Sequence, residues 1–244
     1  MTSVYDLVVI GAGPAGESAA ELAAFFGYTA VIVENNKPGG LVTTTGGAPT
    51  KTLRESMLAL TRFHDREVYG ITVSSPPNLV IEKITERTIS VAKFLQDITA
   101  QNIARNGVQY IQGTAKVDSN LRVYVTSSRG ENQVLFAKNI LVATGSRPFH
   151  PDNIPFEDPN VWDSDEFFSP GRHLPKSIFI VGGGPVGVEF ATIFAGLGVP
   201  TTISDSADRF IHSMDTDVRT CSKTSPTHWR RRYPWVQDQI YKTS

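Results

Sequence analysis

Two glycine clusters carry the clearest chemical signal in this chain: Gly11-Ala12-Gly13-Pro14-Ala15-Gly16 and Gly182-Gly183-Gly184-Pro185-Val186-Gly187. Each follows a short apolar run and precedes a stretch of helical character. In such a strand–turn–helix the first glycine, Gly11 or Gly182, permits a tight turn. The second, Gly13 or Gly184, lets the backbone approach a pyrophosphate, and the third, Gly16 or Gly187, lets the helix pack on the strand. The helix start, where Pro14, Ala15, Pro185 and Val186 lie, turns N–H groups and a positive dipole end toward the phosphates. Glu34 and Asp205 each lie 23 positions beyond the leading glycine, where a carboxylate accepts hydrogen bonds from an adenosine ribose diol. The equal spacing marks an internal repeat. An acid at 205 repels a 2′-phosphate and favours NAD, while Arg209 leaves NADP open.

The elements that must hold these turns follow from pattern. Residues 5–10 and 29–34 are short β-branched runs and predict buried strands, with a helix over 14–26 between them. A loop rich in Gly and Thr spans 35–47, and residues 51–68 read as helical. Over 79–106 the apolar residues Ile84, Val91, Phe94, Leu95, Ile98 and Ile103 fall at helical spacing. Short strands are expected at 108–112, 121–126 and 140–145. Residues 146–175 hold six prolines and read as a connection. The opening pattern then restarts, with strands at 177–181 and 201–205 around a helix at 185–197.

Composition narrows the function classes. The chain has 244 residues, 40% of them hydrophobic, and a formal charge of −1, which suits one large or two small globular domains. Acid and base nearly balance, so no nucleic-acid partner is expected; Arg230, Arg231 and Arg232 form one basic cluster, read as solvated. The N-terminus has no signal-peptide pattern. No run reaches the roughly 18 apolar residues of a membrane helix, and a cytoplasmic location is expected. The single cysteine, Cys221, rules out a disulfide within the chain. The five histidines show no metal-ligand spacing.

The order of the two motifs, with Ala143-Thr144-Gly145-Ser146-Arg147-Pro148 between them, resembles the two-dinucleotide flavoproteins that include dihydrolipoamide dehydrogenase and glutathione reductase. The resemblance runs from residue 4 to about 218. It implies an α/β fold of two Rossmann-like dinucleotide-binding domains of the three-layer ββα type, the second inserted in the first and incomplete. The domains expected are 1–150 for FAD and 151–218 as a partial NAD(P)-binding domain, with 219–244 an atypical tail. It also implies FAD contacts from Gly11, Gly13, Gly16, Glu34, Gly39, Gly40, Thr50, Ala143, Thr144 and Gly145. Backbone groups at Ala115 would serve the adenine. Lys51 matches a lysine beside the flavin N5 edge, and Glu189 its ion-pair partner, so these two are the candidate catalytic residues.

The family's redox segment reads Gly-Gly-x-Cys, four residues, Cys-x-Pro-Ser-Lys. Here both cysteine positions are replaced, by Val42 and Gly47, which speaks against dithiol chemistry. Within the family, three stretches are most similar to the soluble, flavin-dependent pyridine nucleotide transhydrogenases. They are Pro49-Thr50-Lys51-Thr52-Leu53-Arg54-Glu55, the run from Gly145 to Trp162-Asp163-Ser164-Asp165, and Gly187-Val188-Glu189-Phe190-Ala191. The implied reaction moves hydride from NADPH to NAD⁺ through flavin, both nucleotides being substrates at one site. The alternatives are a non-catalytic FAD- or NAD-binding remnant and a disulfide-free flavin reductase using a quinone. After Val218 the resemblance stops. A chain cut short is therefore expected, its tail disordered or frameshifted, without the domain through which the family forms homodimers.

Overall fold

The computed structural model describes residues 4–64, 70, 77–168, 174–207, 210–211, 214–215, 217 and 236–238. Arg209, Cys221, Arg230, Arg231 and Arg232 lie outside them. The chain forms two compact units, Met1–Thr52 with Glu86–Ser169, and Leu53–Thr85 with Pro170–Ser244. Among the described residues no helix is long and apolar enough to cross a membrane.

The first unit opens with β1 (Val4–Ile10), α1 (Pro14–Phe25) and β2 (Ala30–Glu34). Next come α2 (Gly40–Thr44), α3 (Ala48–His64) and α4 (Pro77–Arg105), of which the stretch from Leu53 to Thr85 belongs to the second unit. Three strands complete it: β3 (Gln109–Val117), β4 (Arg122–Ser127) and β5 (Asn132–Val142). β1 lies parallel to both β2 and β5, and β2 parallel to β3, whereas β4 runs antiparallel to β3 and β5. The ring of pairing closes because two long strands change partner along their length. Residues 109–112 of β3 pair with β2 and residues 113–117 with β4. In the same way residues 132–136 of β5 pair with β4, and its later residues with β1.

Strand alternation sorts the side chains into layers. Val9 and Ile32 face the helices and pack with Ala20 of α1 and Ile103 of α4. Their neighbours Val8, Val31 and Val33 point the other way, into Val123, Val125 and Leu135 of β4 and β5. Helices, parallel strands and an antiparallel meander therefore form three layers, the ββα arrangement expected from the sequence. β2 is buried throughout, as a parallel strand covered on both faces must be.

The second unit repeats the opening with β6 (Ile178–Val181), α5 (Pro185–Gly196) and β7 (Thr201–Ser204). Ile178 pairs with Thr201 and Val181 with Ser204, as Leu7 pairs with Ala30 and Ile10 with Val33. Here the third layer differs. Phe179 and Val181 are 56% and 69% exposed, whereas Val8, the counterpart of Phe179, is fully buried.

Two elements escaped the sequence reading. α2 replaces part of the expected loop, and the hydroxyls of Thr43 and Thr44 bond back to the Gly40 carbonyl at 3.3 and 3.0 Å. Threonine side chains compete with the backbone in this way, and the residue types therefore look loop-like. β8 (Val236–Asp238) adds parallel to β7. Three residues are too few to show a period.

Asp6 fastens the first unit at the base of β1. Its Oδ2 accepts the N–H and the hydroxyl of Thr29, both at 2.8 Å, and its Oδ1 lies 2.7 Å from Lys138 Nζ in β5. Lys138 first, then Thr29, holds the carboxyl down to about 2. A folded-state pKa below the unfolded one contributes stability that is present above the unfolded value and lost as pH falls through the folded value. Between about pH 4 and pH 2, urea midpoints of the Asp6→Asn variant should therefore fall less steeply with pH than those of the parent chain.

Candidate nucleotide-binding turns

The first turn begins where β1 ends. Gly11 adopts φ 109°, and its N–H donates to Val33 O at 2.8 Å while the Ala143 N–H donates to Ile10 O at 2.8 Å. A side chain at 11 would overlap the Ala143 carbonyl, and one at 16 would overlap the Gly11 carbonyl. β1, α1 and the end of β5 thus converge on a point that excludes side chains. Gly13 is the N-cap of α1, and no side chain caps that helix, so its first N–H groups await an outside acceptor.

A second backbone closes on the same place. Gly39, at φ 90°, donates its N–H to Ala12 O at 2.7 Å. A Cβ on Gly40 would lie 3.0 Å from Gly13 Cα. Two chain segments meet here with no side chain between them, which is the room a pyrophosphate needs beside a helix N-terminus. The residues present therefore fit FAD.

Glu34 lies at the end of β2 and is buried. Its Oε2 accepts the Ala12 N–H and its Oε1 the Asn36 N–H, each at 2.7 Å. Every carboxylate oxygen has a further lone pair, so the same group can also receive ribose hydroxyls. Burial, with the negative charge of Glu34 second, pushes the Tyr110 phenol up to about 12. Ala115 pairs with Val125 on one side. On its other side β2 has already ended at the Glu34–Gln112 pair. That edge of β3 has no strand partner among the described residues, which leaves backbone groups open where the resemblance places an adenine.

The remaining expected FAD contacts lie on two segments. Thr144 and Gly145 are exposed just past β5, behind half-buried Ala143. Thr50 is buried and its hydroxyl donates to Thr45 O at 3.1 Å, so that group is spent within the chain. Lys51 is exposed in the first turn of α3, its N–H bonded to Gly47 O at 3.2 Å. A Cβ on Gly47 would lie 2.7 Å from Val42 O and 3.0 Å from Val42 Cγ1. Positions 42 and 47 therefore lie side by side, with no room for a side chain at 47 against Val42.

The second turn copies the first in detail. Gly182 adopts φ 111° and donates to Ser204 O at 2.8 Å. A side chain at 187 would overlap the Gly182 carbonyl. Gly184 caps α5 without a side-chain bond; Pro185 and Val186 follow, exposed. Asp205 accepts the Gly183 N–H on Oδ2 and the Ala207 N–H on Oδ1 at 2.7 Å, matching Glu34 bond for bond. The Ile211 N–H donates to Gly183 O at 2.7 Å, as Gly39 does to Ala12. Glu189 is half-buried in α5, so it belongs to the second unit and Lys51 to the first. Sequence reasoning missed Asn36 and Ala207, whose roles are backbone N–H groups two positions after an acid, and Phe210, whose ring takes the space a Gly183 side chain would fill.

Within the run from Gly145 to Asp165, Asp163 gathers several bonds. Asp163 Oδ1 accepts the N–H groups of Asp165 and Glu166 at 2.8 and 3.0 Å, and its Oδ2 lies 2.7 Å from His150 Nε2. Burial raises its pKa, but bonds from His150, Glu166 and Asp165 outweigh burial and hold it below the ordinary carboxylate range. His150 also stacks on Phe156 with ring centroids 3.7 Å apart.

Glu34→Gln puts an amide NH₂ where one of two backbone N–H groups needs an acceptor. The expected loss is about 1–3 kcal/mol in chemical denaturation. The Tyr110 titration should move down with the lost charge, read by ultraviolet difference spectra.

Comparison with known proteins agrees with this geometry. The model of the family described as pyridine nucleotide-disulphide oxidoreductase matches residues 5–225. The chain is 34% identical over 216 residues to the soluble pyridine nucleotide transhydrogenase of Mycobacterium tuberculosis (strain ATCC 25177 / H37Ra), covering 88% of this chain and 46% of that protein. It is 36% identical over 220 residues to the enzyme of that name from Pseudomonas fluorescens (strain SBW25), with the same coverage. In structure it is similar to the Cu(II) complex of the HOCl-induced flavoprotein disulfide reductase RclA from Escherichia coli, with TM-score 0.82 and 26% identity over 100% of this chain and 50% of that one. The chain thus spans about half the length of the curated relatives it matches. Two matched glycine turns, each tied to an acid at the end of the second strand, and a family match across nearly the whole chain place it together: it belongs to the pyridine nucleotide-disulphide oxidoreductase family.

Proposed function

We propose that the chain holds FAD at the turn around Gly11 and a nicotinamide nucleotide at the turn around Gly182. On this reading it is the nucleotide-handling part of an NAD(P)⁺ transhydrogenase-type flavoenzyme that uses no redox disulfide. Residues 1–150 then act as the FAD-binding domain and 151–218 as part of the nicotinamide-binding one. Family members bind FAD and NAD(P)H. The observation that carries the reading is the neighbouring pair Val42 and Gly47, which stands where a dithiol relay would need two cysteines.

FAD, when bound, supplies the two-electron exchange between NADPH and NAD⁺. The chain supplies position and charge. The N-terminus of α1 and the glycine backbones at Gly13 and Gly40 receive the pyrophosphate, and Glu34 orients the ribose. Asp205 does the same for the second nucleotide. Lys51 places a positive charge beside the flavin, with Glu189 its carboxylate partner by resemblance. The family's thiols, absent here, leave the second nucleotide as the acceptor.

The test is an anaerobic titration of the purified, FAD-loaded 244-residue chain. NADPH should bleach the flavin bands and NAD⁺ should restore them with no thiol present. Lys51→Met should slow the bleaching by about a hundredfold, the scale of losing one electrostatic group in a preorganised site. A yellow protein that NADPH leaves unbleached would select the binding-only alternative, and recolouring by a quinone but not by NAD⁺ would select the flavin reductase.

A further inference from the structure

Two carboxylates on α1 belong to neither glycine turn. Glu17 and Glu21 are four residues apart, so they share one face of the helix. Ala20 beside them is fully buried and packs with Ile103 of α4. Glu17 is half-buried; its Oε2 lies 3.4 Å from the Thr99 hydroxyl, and Asn102 also bonds its carboxyl. Glu21 is half-buried too. Its Oε1 is sealed from solvent and has no hydrogen-bond partner among the described residues.

No cation answers these two charges. From α4 the side chains that reach Glu17 are Thr99 and Asn102. Arg105, behind them, turns its guanidinium onto Asn102 Oδ1 at 3.0 Å, and Lys93 and Asp97 are exposed. From the strands under α1 the charged groups are Asp6 and Glu34, already held by Thr29 with Lys138 and by Ala12 with Asn36. α1 itself carries no other charged residue. Two negative charges on one helix face, one with a bare buried oxygen, are costly together, and a proton on the pair removes that cost. Burial first, then the charge of Glu21, raises the Glu17 carboxyl above the ordinary glutamate range.

The pair lies close to the pyrophosphate cradle. The Glu17 N–H donates to Gly13 O at 2.9 Å, which sets Glu17 one helical turn from the cap, about 5 Å along the axis. Helical side chains lean toward the N-terminus, so the Glu17 charge and a ligand phosphate fall within a Debye length of about 8 Å. We propose that FAD binding at this turn takes up one proton from solvent onto the Glu17–Glu21 pair, so that the affinity for FAD falls as pH rises. This rests on the FAD assignment given above. The proton adds to a carboxylate oxygen, the pair passes from two charges to one, and by linkage the same proton favours the ligand.

The experiment measures the dissociation constant for FAD of the parent chain, Glu17→Gln and Glu21→Gln from about pH 5 to pH 8, above the ordinary glutamate range and clear of the Asp6 transition. Glutamine keeps the side-chain length and removes the charge. The parent should bind FAD about 3- to 10-fold more weakly at the upper end than at the lower. Glu17→Gln should give a flat profile at the tighter level. In Glu21→Gln the loss should begin at lower pH, because the neighbouring charge is gone. A second reading needs no FAD. A carboxyl raised in the folded state contributes stability that is lost as pH rises through the raised value, so the urea midpoint of the parent should fall more steeply over this range than that of Glu17→Gln.

A parent chain whose FAD affinity is constant across the range overturns the inference, as does a pH dependence that Glu17→Gln leaves in place. Should Glu17→Gln not fold, a Glu21→Gln profile that coincides with the parent's overturns it instead. A parent chain that binds no FAD at any pH overturns the FAD assignment and this inference with it, a result distinct from a flat profile.

Discussion

A tight turn at the end of a buried parallel strand leaves backbone N–H groups with no strand to bond to, and an unpaired buried N–H is costly. Both units solve this with a carboxylate from the next strand. Glu34 takes the N–H groups of Ala12 and Asn36, and Asp205 takes those of Gly183 and Ala207. The acid therefore ties three things together: the glycine turn, the end of the second strand and the loop that leaves it. The start of the helix that follows each turn depends on that tie.

Because the acid serves the fold before any ligand arrives, its free lone pairs already point from a fixed place. On the proposed function, a nucleotide meets a prepared site and spends little binding energy on ordering it. The same logic separates the two turns. At Gly11 the end of β5 supplies Ala143 as a third wall, whereas a Cβ at Gly182 would meet nothing nearby. Among the described residues, the first turn is enclosed by its own unit and the second has no such wall.

Val42 and Gly47 stand side by side on the segment that leads from Gly40 to Lys51. The turn of α2, the bond from Gly39 to Ala12 and the placement of Lys51 at the start of α3 are independent of sulfur.

The two turns were legible in sequence because their requirements are local: a glycine at positive φ, a proline at the helix start, an acid at fixed spacing. So were the buried strands, whose β-branched runs have no other use. The third layer was only partly legible, since β3 and β5 change partners midway and nothing in a linear pattern marks where a neighbouring strand ends. α2 hid behind its threonines, and β8 is too short to carry a period. The sequence determined which residues could bind nucleotides. The tertiary structure decided which polar groups are already spent, as at Thr50, and which are left over, as at Glu21, because satisfaction of a hydrogen bond depends on neighbours brought together by folding.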